Sequence, residues 1–267
     1  MVATAEPVRP APMLLRRDDD GVCVLTLNRP EARNALSDDL MLHLQAELDA
    51  TAQDESVKVL VIEGVGPAFC AGHDLREIRA NPGRDAYEKL FATCARLMLS
   101  VTRHPRPVIA KVAGIATAAG CQLVASCDLV VASREARFAT PGVNIGLFCS
   151  TPMVALSRSV GRKQAMEMLL TGEMIGAETA RTFGLVNRVV EPDNLDATTM
   201  DLARKIAAKS PLTLRIGKEA FYRQAELPID DAYAYASEVM TQNMLARDAE
   251  EGIDAFLSKR TPVWTGS

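Results

Sequence analysis

The sequence is poor in aromatic residues and has no surplus of basic ones. Its 267 residues include only 7 Phe, 4 Tyr and 1 Trp. Lys and Arg total 30 against 34 Asp and Glu, which gives a formal net charge of −4. A nucleic-acid-binding surface needs a basic excess or stripe, and base stacking needs aromatic rings. We therefore expect no nucleic-acid partner, and the few aromatics also disfavour an all-β sandwich.

Long apolar runs, CxxC pairs and a secretory signal are also missing. No run of 18 or more apolar residues occurs, so we expect no transmembrane helix and no membrane partner. The six cysteines lie mostly in apolar runs, which predicts buried reduced thiols rather than disulfides or a zinc site. Residues 1–12, rich in Ala and Pro, are predicted to form a flexible tail. Because no presequence is visible, the cytoplasm is the expected location.

The sequence does contain short apolar strands that alternate with helices. Ser37 is a predicted N-cap for a helix that ends near Gln53. The predicted strands cover residues 13–18, 22–27, 57–62, 107–112 and 128–132. The other predicted helices of this part cover residues 85–102 and 118–126. This alternation indicates an α/β fold with a largely parallel sheet.

From about Thr151 the pattern becomes almost wholly helical, apart from a strand-like segment at 184–190. The last four predicted helices cover residues 196–209, 211–225, 229–247 and 249–258. Their faces are rich in Ala and Met and need a partner surface, either the sheet or another subunit. We therefore predict that the chain consists of a core over residues 13–195 and a C-terminal helical region over residues 196–267.

Two segments of small residues could carry chemistry, Ala68–Leu75 and Ala113–Leu123. Glycine and alanine let a ligand or another backbone approach the main chain closely. The second segment opens a helix, whose first N–H groups lack intrahelical partners and attract anions. Two such N–H groups aimed at one point would form an oxyanion hole.

Over residues 13–264 the chain resembles the enoyl-CoA hydratase/isomerase family, the crotonase superfamily. The matching motifs are Asn28-Arg29-Pro30, Asn34-Ala35-Leu36, Phe69–Leu75, Cys127-Asp128, Leu170-Thr171-Gly172, Gly184–Asn187 and Glu251–Phe256 with Lys259-Arg260. The resemblance implies a ββα spiral core and a C-terminal helical region that builds a homotrimer or a hexamer, a dimer of trimers. It also implies a coenzyme A thioester as substrate, with no other cofactor and no metal.

The resemblance also assigns site residues. The two N–H groups that hold the thioester oxygen map to His73 and Ala119. The family's contacts with acyl-CoA map to Glu31, Ala32, Arg33, Ala71, Gly72, Asp74, Leu75, Arg76, Ala118, Pro141, Phe256 and Lys259. Lys259 corresponds to a lysine that reaches the CoA phosphates, often from a neighbouring subunit. Asp74 with Glu77 also fits a helix capping box, which we favour over a catalytic role.

One departure from the family pattern concerns its two catalytic glutamates, which map to Gln122 and Gly142. An amide does not titrate and glycine has no side chain, while each acid–base group contributes about 10²–10⁴ in rate. We therefore expect an acyl-CoA lyase of fatty-acid or acyl-CoA metabolism with weak ordinary hydratase activity.

Two alternatives stay open at this point. The Gly-His-Asp at 72–74 also resembles a methylmalonyl-CoA decarboxylase branch, in which His73 would take part in decarboxylation or another thioester cleavage. Cys149 stands where that branch has a tyrosine, so this match is incomplete. The other alternative is a non-catalytic acyl-CoA-binding protein.

Overall fold

The computed structural model describes residues 11–267, and the predicted tail over 1–12 lies almost entirely outside this range. The strands are β1 (Leu14–Asp19), β2 (Val22–Leu27), β3 (Val59–Gly64), β4 (Ala68–Cys70), β5 (Val108–Val112), β6 (Ile115–Thr117), β7 (Leu129–Ser133), β8 (Arg137–Ala139), β9 (Ile175–Gly176) and β10 (Arg188–Val190). The helices are α1 (Asp38–Gln53), α2 (Leu75–Ala80), α3 (Arg84–Thr102), α4 (Ala119–Ser126), α5 (Pro152–Ser159), α6 (Arg162–Thr171), α7 (Ala177–Phe183), α8 (Leu195–Ala207), α9 (Pro211–Gln224), α10 (Ile229–Met244) and α11 (Arg247–Leu257).

The larger sheet has the order β1-β2-β3-β5-β7-β10 and is parallel except for the β1–β2 hairpin. This confirms the largely parallel sheet that the alternation of strands and helices predicted. Both of its faces are covered, and successive side chains of β2 enter different clusters: Cys23 and Leu25 join the main core, while Val22 and Val24 join a second cluster. Two-sided burial explains why these strands read as continuous apolar runs.

A smaller sheet has the order β4-β6-β8-β9, and its strands were not among those that the apolar pattern predicted. Its strands are two or three residues long, too short for a periodic pattern. Each of β3, β5 and β7 in the large sheet is followed along the chain by a strand of the small sheet, β4, β6 and β8 respectively. Helices α2 and α3 follow the pair β3–β4, and helix α4 follows the pair β5–β6. The result is a repeating strand–strand–helix unit.

Helix α8 covers the second face of the large sheet. Its Leu195, Met200 and Ala203 pack with Val59 and Ile109 of the sheet. The sequence placed residues 196–207 in the C-terminal helical region, whereas the structure seats α8 on the core. The division of the chain at 195/196 otherwise stays a prediction.

Helices α9–α11 expose large apolar side chains, although α9 is tied to the core by polar bonds. Lys218 Nζ donates to Asp128 Oδ2 (2.7 Å) and Tyr222 Oη to Asp128 Oδ1 (2.9 Å). The most exposed apolar side chains within residues 211–257 are 64–82% exposed: Phe221, Ile229, Tyr233, Leu245, Phe256 and Leu257. These helices still need a partner surface, and the trimer stays a prediction. Within residues 11–267, no helix combines the length and apolarity needed to cross a membrane.

His104 is a buried neutral histidine at the junction of α1 and α3. Its Nε2 lies 3.1 Å from the Leu48 carbonyl oxygen, and its Nδ1 accepts from the Arg106 N–H (3.1 Å). Burial, followed by the nearby Lys218 charge, lowers the pKa of His104 from 6.5 to about 4. These contacts satisfy the neutral ring, and protonation would place a second N–H against a donor.

We therefore predict that His104 weakens the fold as the pH falls from about 6.5 to about 4, because the unfolded chain takes up its proton first. The His104→Gln variant should lack this component. Urea denaturation at pH 7 and pH 4 should show a loss of stability larger in the wild type by roughly 2–3 kcal/mol. Equal losses in both proteins would contradict this role for His104.

Candidate active site

Three segments converge at the carboxyl ends of the short parallel strands β4, β6 and β8. Ala71 follows β4, Ala118 follows β6, and Thr140 follows β8. The Thr117 hydroxyl donates to the Ala71 carbonyl (3.1 Å), and the Ala118 N–H donates to the Ala139 carbonyl (3.0 Å). Parallel pairing brings these strand ends to one edge of the sheet. The structure thus brings together the two small-residue segments and the 139–142 segment.

Glycine is required at positions 72 and 120 because the segments after β4 and β6 touch there. A Cβ on Gly72, whose φ is +97°, would lie 2.8 Å from Ala118 Cβ and 3.3 Å from the Ala119 nitrogen. A Cβ on Gly120 would lie 2.1 Å from the Cys70 carbonyl oxygen. Contacts this short exclude any side chain. The same approach places the start of α4 next to the segment that carries His73.

The backbone N–H groups of His73 and Ala119 have no hydrogen-bond acceptor within residues 11–267. Ala119 is the first residue of α4. The N-cap residue of this helix is Ala118, whose methyl side chain cannot accept a hydrogen bond from the first turn. Ala118 holds φ 51° and ψ −119°, a sparsely populated conformation that costs on the order of 1–3 kcal/mol. The structure therefore leaves two polar donors free next to a strained residue.

His73 is half-buried, and its imidazole packs against an aromatic ring. Its ring lies edge to face with Phe91, with 6.0 Å between centroids. Both ring nitrogens are buried, and no hydrogen-bond partner lies within the described residues. Burial lowers the pKa of His73, against smaller opposing effects of the Leu36 backbone and Asp38. The imidazole is therefore neutral at pH 7.

Neither position of the family glutamates carries an ionisable group. Gln122 is buried on α4, with its Oε1 4.0 Å from Cys94 Sγ. A Cβ on Gly142 would lie 2.3 Å from the Leu147 carbonyl oxygen and 2.9 Å from Cys149 Sγ. The Leu147 N–H donates to the Gly142 carbonyl (2.9 Å). The folded backbone thus leaves no room for a side chain at position 142, the second glutamate position.

The cysteines near this position are buried thiols. Burial raises the pKa of Cys121 to about 12 and also raises the pKa of Cys149. Both are therefore thiols rather than thiolates at neutral pH, in line with the expected packing role.

Asp74 caps α2 and also pairs with an arginine. Its Oδ1 accepts from the Arg76 N–H (3.1 Å), and its Oδ2 lies 3.2 Å from Arg29 Nη2. The expected capping box is half formed, because Glu77 accepts from the Asp38 N–H of α1 (3.0 Å) instead of reaching back to Asp74. Asp74 thus has a structural role.

The remaining predicted contacts lie around the rim or elsewhere. The Arg33 carbonyl accepts from the Ala71 N–H (3.0 Å), which ties the turn of Glu31 and Ala32 to the site. Leu75 is half exposed at the start of α2. Pro141 opens the single turn that contains Gly142.

Phe256 and Lys259 are not connected to these segments. Helix α11 packs on α9 and α10, and Phe256 is 82% exposed. No hydrogen bond or ion pair in the described part of the chain links Phe256 or Lys259 to the segments after β4, β6 and β8. Their assignment stays a prediction.

The sequence reasoning missed three residues at the site, Phe91, Cys94 and Thr140. Phe91 and Cys94 come from α3, which is distant along the chain and carries no motif. Thr140 is fully buried, and its hydroxyl has no partner within residues 11–267. Its position directly before Pro141-Gly142 was the one available signal.

The chain matches the family model described as enoyl-CoA hydratase/isomerase over residues 17–267. It is 49% identical over 249 residues to human enoyl-CoA hydratase domain-containing protein 3, mitochondrial, covering 93% of this chain and 82% of the relative. It is 39% identical over 246 residues to 2,3-dehydroadipyl-CoA hydratase of Escherichia coli (strain K12), covering 92% of this chain and 95% of the relative.

Solved structures agree with this match. An enoyl-CoA hydratase of Mycobacterium smegmatis superposes with a TM-score of 0.93 at 56% identity, covering 95% of this chain and 99% of that one. The human domain-containing protein 3 superposes with a TM-score of 0.92 at 48% identity, covering 95% and 100%. These structures confirm the predicted crotonase-like fold.

The expected cytoplasmic location is contradicted. Five vertebrate relatives, 44–49% identical over 92% or more of this chain, are mitochondrial proteins by name. The expectation rested on the lack of a visible presequence, and such an absence does not identify a compartment.

We predict that Gly142→Ala destabilises the protein, because the new methyl group would meet the Leu147 carbonyl. Overpacking of this kind costs about 1–3 kcal/mol. Gly217→Ala is the matched control, since a Cβ at this position of α9 meets nothing within 4 Å. Helix propensity should make the control more stable by about 0.5–1 kcal/mol. Urea denaturation measures both, and an unchanged midpoint for Gly142→Ala would contradict the closed position.

Proposed function

Because the chain belongs to the enoyl-CoA hydratase/isomerase family, we propose that it is an acyl-CoA lyase that binds the thioester oxygen at the N–H groups of His73 and Ala119. The observation that carries the proposal is that these two donors are free at the point where their segments touch. Negative charge collects on the thioester oxygen as an enolate forms. Preorganised donors stabilise that charge most in the transition state, and one donor contributes about 10²–10³ in rate.

The environment of both donors favours an anion. Ala119 is the first residue of α4, so the helix dipole adds to its N–H. The carbonyl of the Gly72–His73 peptide accepts from the Leu36 N–H (2.7 Å). Because the carbonyl and N–H of a trans peptide point in opposite directions, the His73 N–H is directed away from Leu36. Both donors are thus held before a ligand arrives.

Ordinary hydration should be slow in this site. Addition of water to an enoyl thioester needs a base for the water and an acid for the α-carbon. Gln122 can orient water through its amide but cannot accept its proton, and Gly142 offers nothing. A relative that is a 2,3-dehydroadipyl-CoA hydratase supports an enoyl thioester as the substrate class. The proposed role is thus in acyl-CoA or fatty-acid metabolism, with weak hydratase activity.

The proposed assembly is a homotrimer or a hexamer. Phe256 lies on α11 and Lys259 follows two residues after its end, and α11 exposes Phe256 and Leu257 to solvent. In an assembly these residues would meet a neighbouring copy, and Lys259 would reach the CoA phosphates of that copy's site. The resemblance assigns Glu31, Ala32 and Arg33 to the nucleotide end, and the Arg33 carbonyl accepts from the Ala71 N–H at the rim of the site.

A second candidate is a thioester decarboxylase of the malonyl-CoA or methylmalonyl-CoA type. The observation in its favour is that the two ring nitrogens of His73 and the Thr140 hydroxyl are buried without partners in the described chain. Decarboxylation needs no general base: the bond to the carboxylate breaks, CO₂ leaves, and the electron pair becomes the enolate. Water then supplies the proton. Two neutral polar groups could orient the carboxylate for this step.

The Gln122→Glu variant tests the first candidate. We expect the wild type to bind butyryl-CoA and to hydrate crotonyl-CoA slowly, and Gln122→Glu to be faster by up to about 10²–10⁴. Gln122→Met, which adds no base, should not be faster. Mass spectrometry follows the product and a calorimetric titration follows binding. Fast hydration by the wild type would refute our claim about the missing carboxylates. Binding without turnover of crotonyl-CoA or methylmalonyl-CoA would indicate a non-catalytic binder, and no binding would refute the site.

The His73→Ala variant tests the second candidate, because it removes the imidazole and keeps the backbone N–H. If the imidazole orients the carboxylate, methylmalonyl-CoA decarboxylation should fall by about tenfold or more, the value of one hydrogen bond. Butyryl-CoA affinity should stay similar, and His73→Asn should restore part of the rate. Equal decarboxylation rates in wild type and His73→Ala would assign the imidazole a packing role only.

A further inference from the structure

Arg29 lies in the loop after β2 and binds two partners at once. Its Nη1 donates to the Ala35 carbonyl (2.7 Å), and its Nη2 donates to Asp74 Oδ2 (3.2 Å). Both charged side chains are largely buried, at 18% and 14% exposure. The loop itself is rigid because Asn34, fully buried, accepts from the Arg29 N–H (2.8 Å). Arg29 is therefore a fixed cation next to the site.

The Arg29 guanidinium begins a path of hydrogen bonds through two peptide groups. The first acceptor on this path, the Ala35 carbonyl, also accepts from the Ser37 N–H (3.0 Å). The first bond of the path ends on the carbonyl of the Ala35–Leu36 peptide. The N–H of that peptide donates to the carbonyl of the Gly72–His73 peptide (2.7 Å). The N–H of this second peptide is the free donor of His73. The path thus ends at the atom to which the proposed function assigns the thioester oxygen.

Both peptides on this path accept at their oxygen, and the N–H of the first donates to the second, whose own N–H is free for a ligand. A bond to the oxygen polarises the amide and makes its N–H a stronger donor, by about 10–30% per bond. A cationic donor at the head gives the strongest first bond, since charge-assisted bonds are roughly twice as strong as neutral ones. The Asp74 carboxylate offsets part of the positive charge but does not interrupt the path.

We propose that Arg29 is a positioning residue for the proposed oxyanion site. It orients the Ala35–Leu36 peptide, which in turn orients and polarises the Gly72–His73 peptide. This inference rests on the proposed function, because it concerns the strength of the His73 N–H toward a thioester oxygen. Arg29 itself does not touch the ligand.

The carbonyl stretch of a bound thioester measures this polarisation directly. The probe is butyryl-CoA labelled with ¹³C at the thioester carbonyl, which is saturated and cannot be hydrated. Infrared difference spectra at saturating protein should show a shift to lower frequency in the wild type. In Arg29→Gln and Arg29→Lys we expect this shift to shrink by about 10–30% or more. A lysine cannot serve both Ala35 and Asp74 in the geometry of the planar guanidinium.

A control variant separates the path from the general effect of losing a paired arginine. Arg16→Gln is the matched control, because Arg16 also pairs with carboxylates, Asp18 and Glu47 among them, but away from the site. Its shift should equal that of the wild type.

Partial unfolding of a variant does not change the measured shift, because the carbonyl frequency is read only from butyryl-CoA that is bound to folded protein. If Arg29→Gln does not fold, Arg29→Lys gives the same comparison. A normal shift in the wild type with an equal shift in the folded Arg29 variant would overturn the role of Arg29 alone. Lack of binding or of any shift in the wild type would overturn this inference together with the proposed function.

Discussion

The close approach of two backbones underlies every feature of the candidate site. The segment after β4 and the segment after β6 touch at Gly72 and at Gly120, where a Cβ would fall within 2.1–3.3 Å of neighbouring atoms. This approach places the segment that carries His73 next to the first turn of α4. It depends in turn on the short parallel pairing of β4 with β6, and on the hydrogen bonds that tie Ala71 to Arg33 and Thr117. A side chain at either glycine would separate the donors.

The donors and the acid–base groups of the family depend on different parts of the structure. The donors belong to the backbone, so substitutions around them leave them in place provided that the small residues remain. The carboxylates belong to side chains, and neither is present at Gln122 or Gly142. At position 142 the loss extends to the backbone, since the Leu147 carbonyl and the Cys149 thiol fill the space beside Gly142. Both proposed reactions therefore depend on the backbone donors, because positions 122 and 142 supply no ionisable group.

The outer helices have a different physical character from the core. Two apolar clusters on opposite faces bury the large sheet, with α8 closing one of them. Helix α9 contributes no fully buried residue and is attached through Lys218 and Tyr222 to Asp128. Burial lowers the pKa of Lys218 and raises that of Tyr222. The hydrogen bonds to Asp128 offset the cost of burying these two polar groups. Loss of Lys218 or of Asp128 would leave the charge of the other unpaired in a largely buried position.

Much of the fold could be predicted from the sequence because long elements carry long patterns. The strands of the large sheet, the Ser37 cap of α1 and the last four helices were each predicted to within about four residues at their ends. Order along the chain and the glycine-rich motifs also indicated the family and the positions of His73, Ala119, Gln122 and Gly142. Only the tertiary structure decided the rest. The strands β4, β6, β8 and β9 are too short for periodicity, Phe91 and Arg29 reach the site from distant elements, and the space beside Gly142 depends on how residues 142–149 fold back. Local propensity determines elements, whereas contacts between segments far apart in the chain determine which N–H groups, rings and carbonyls meet.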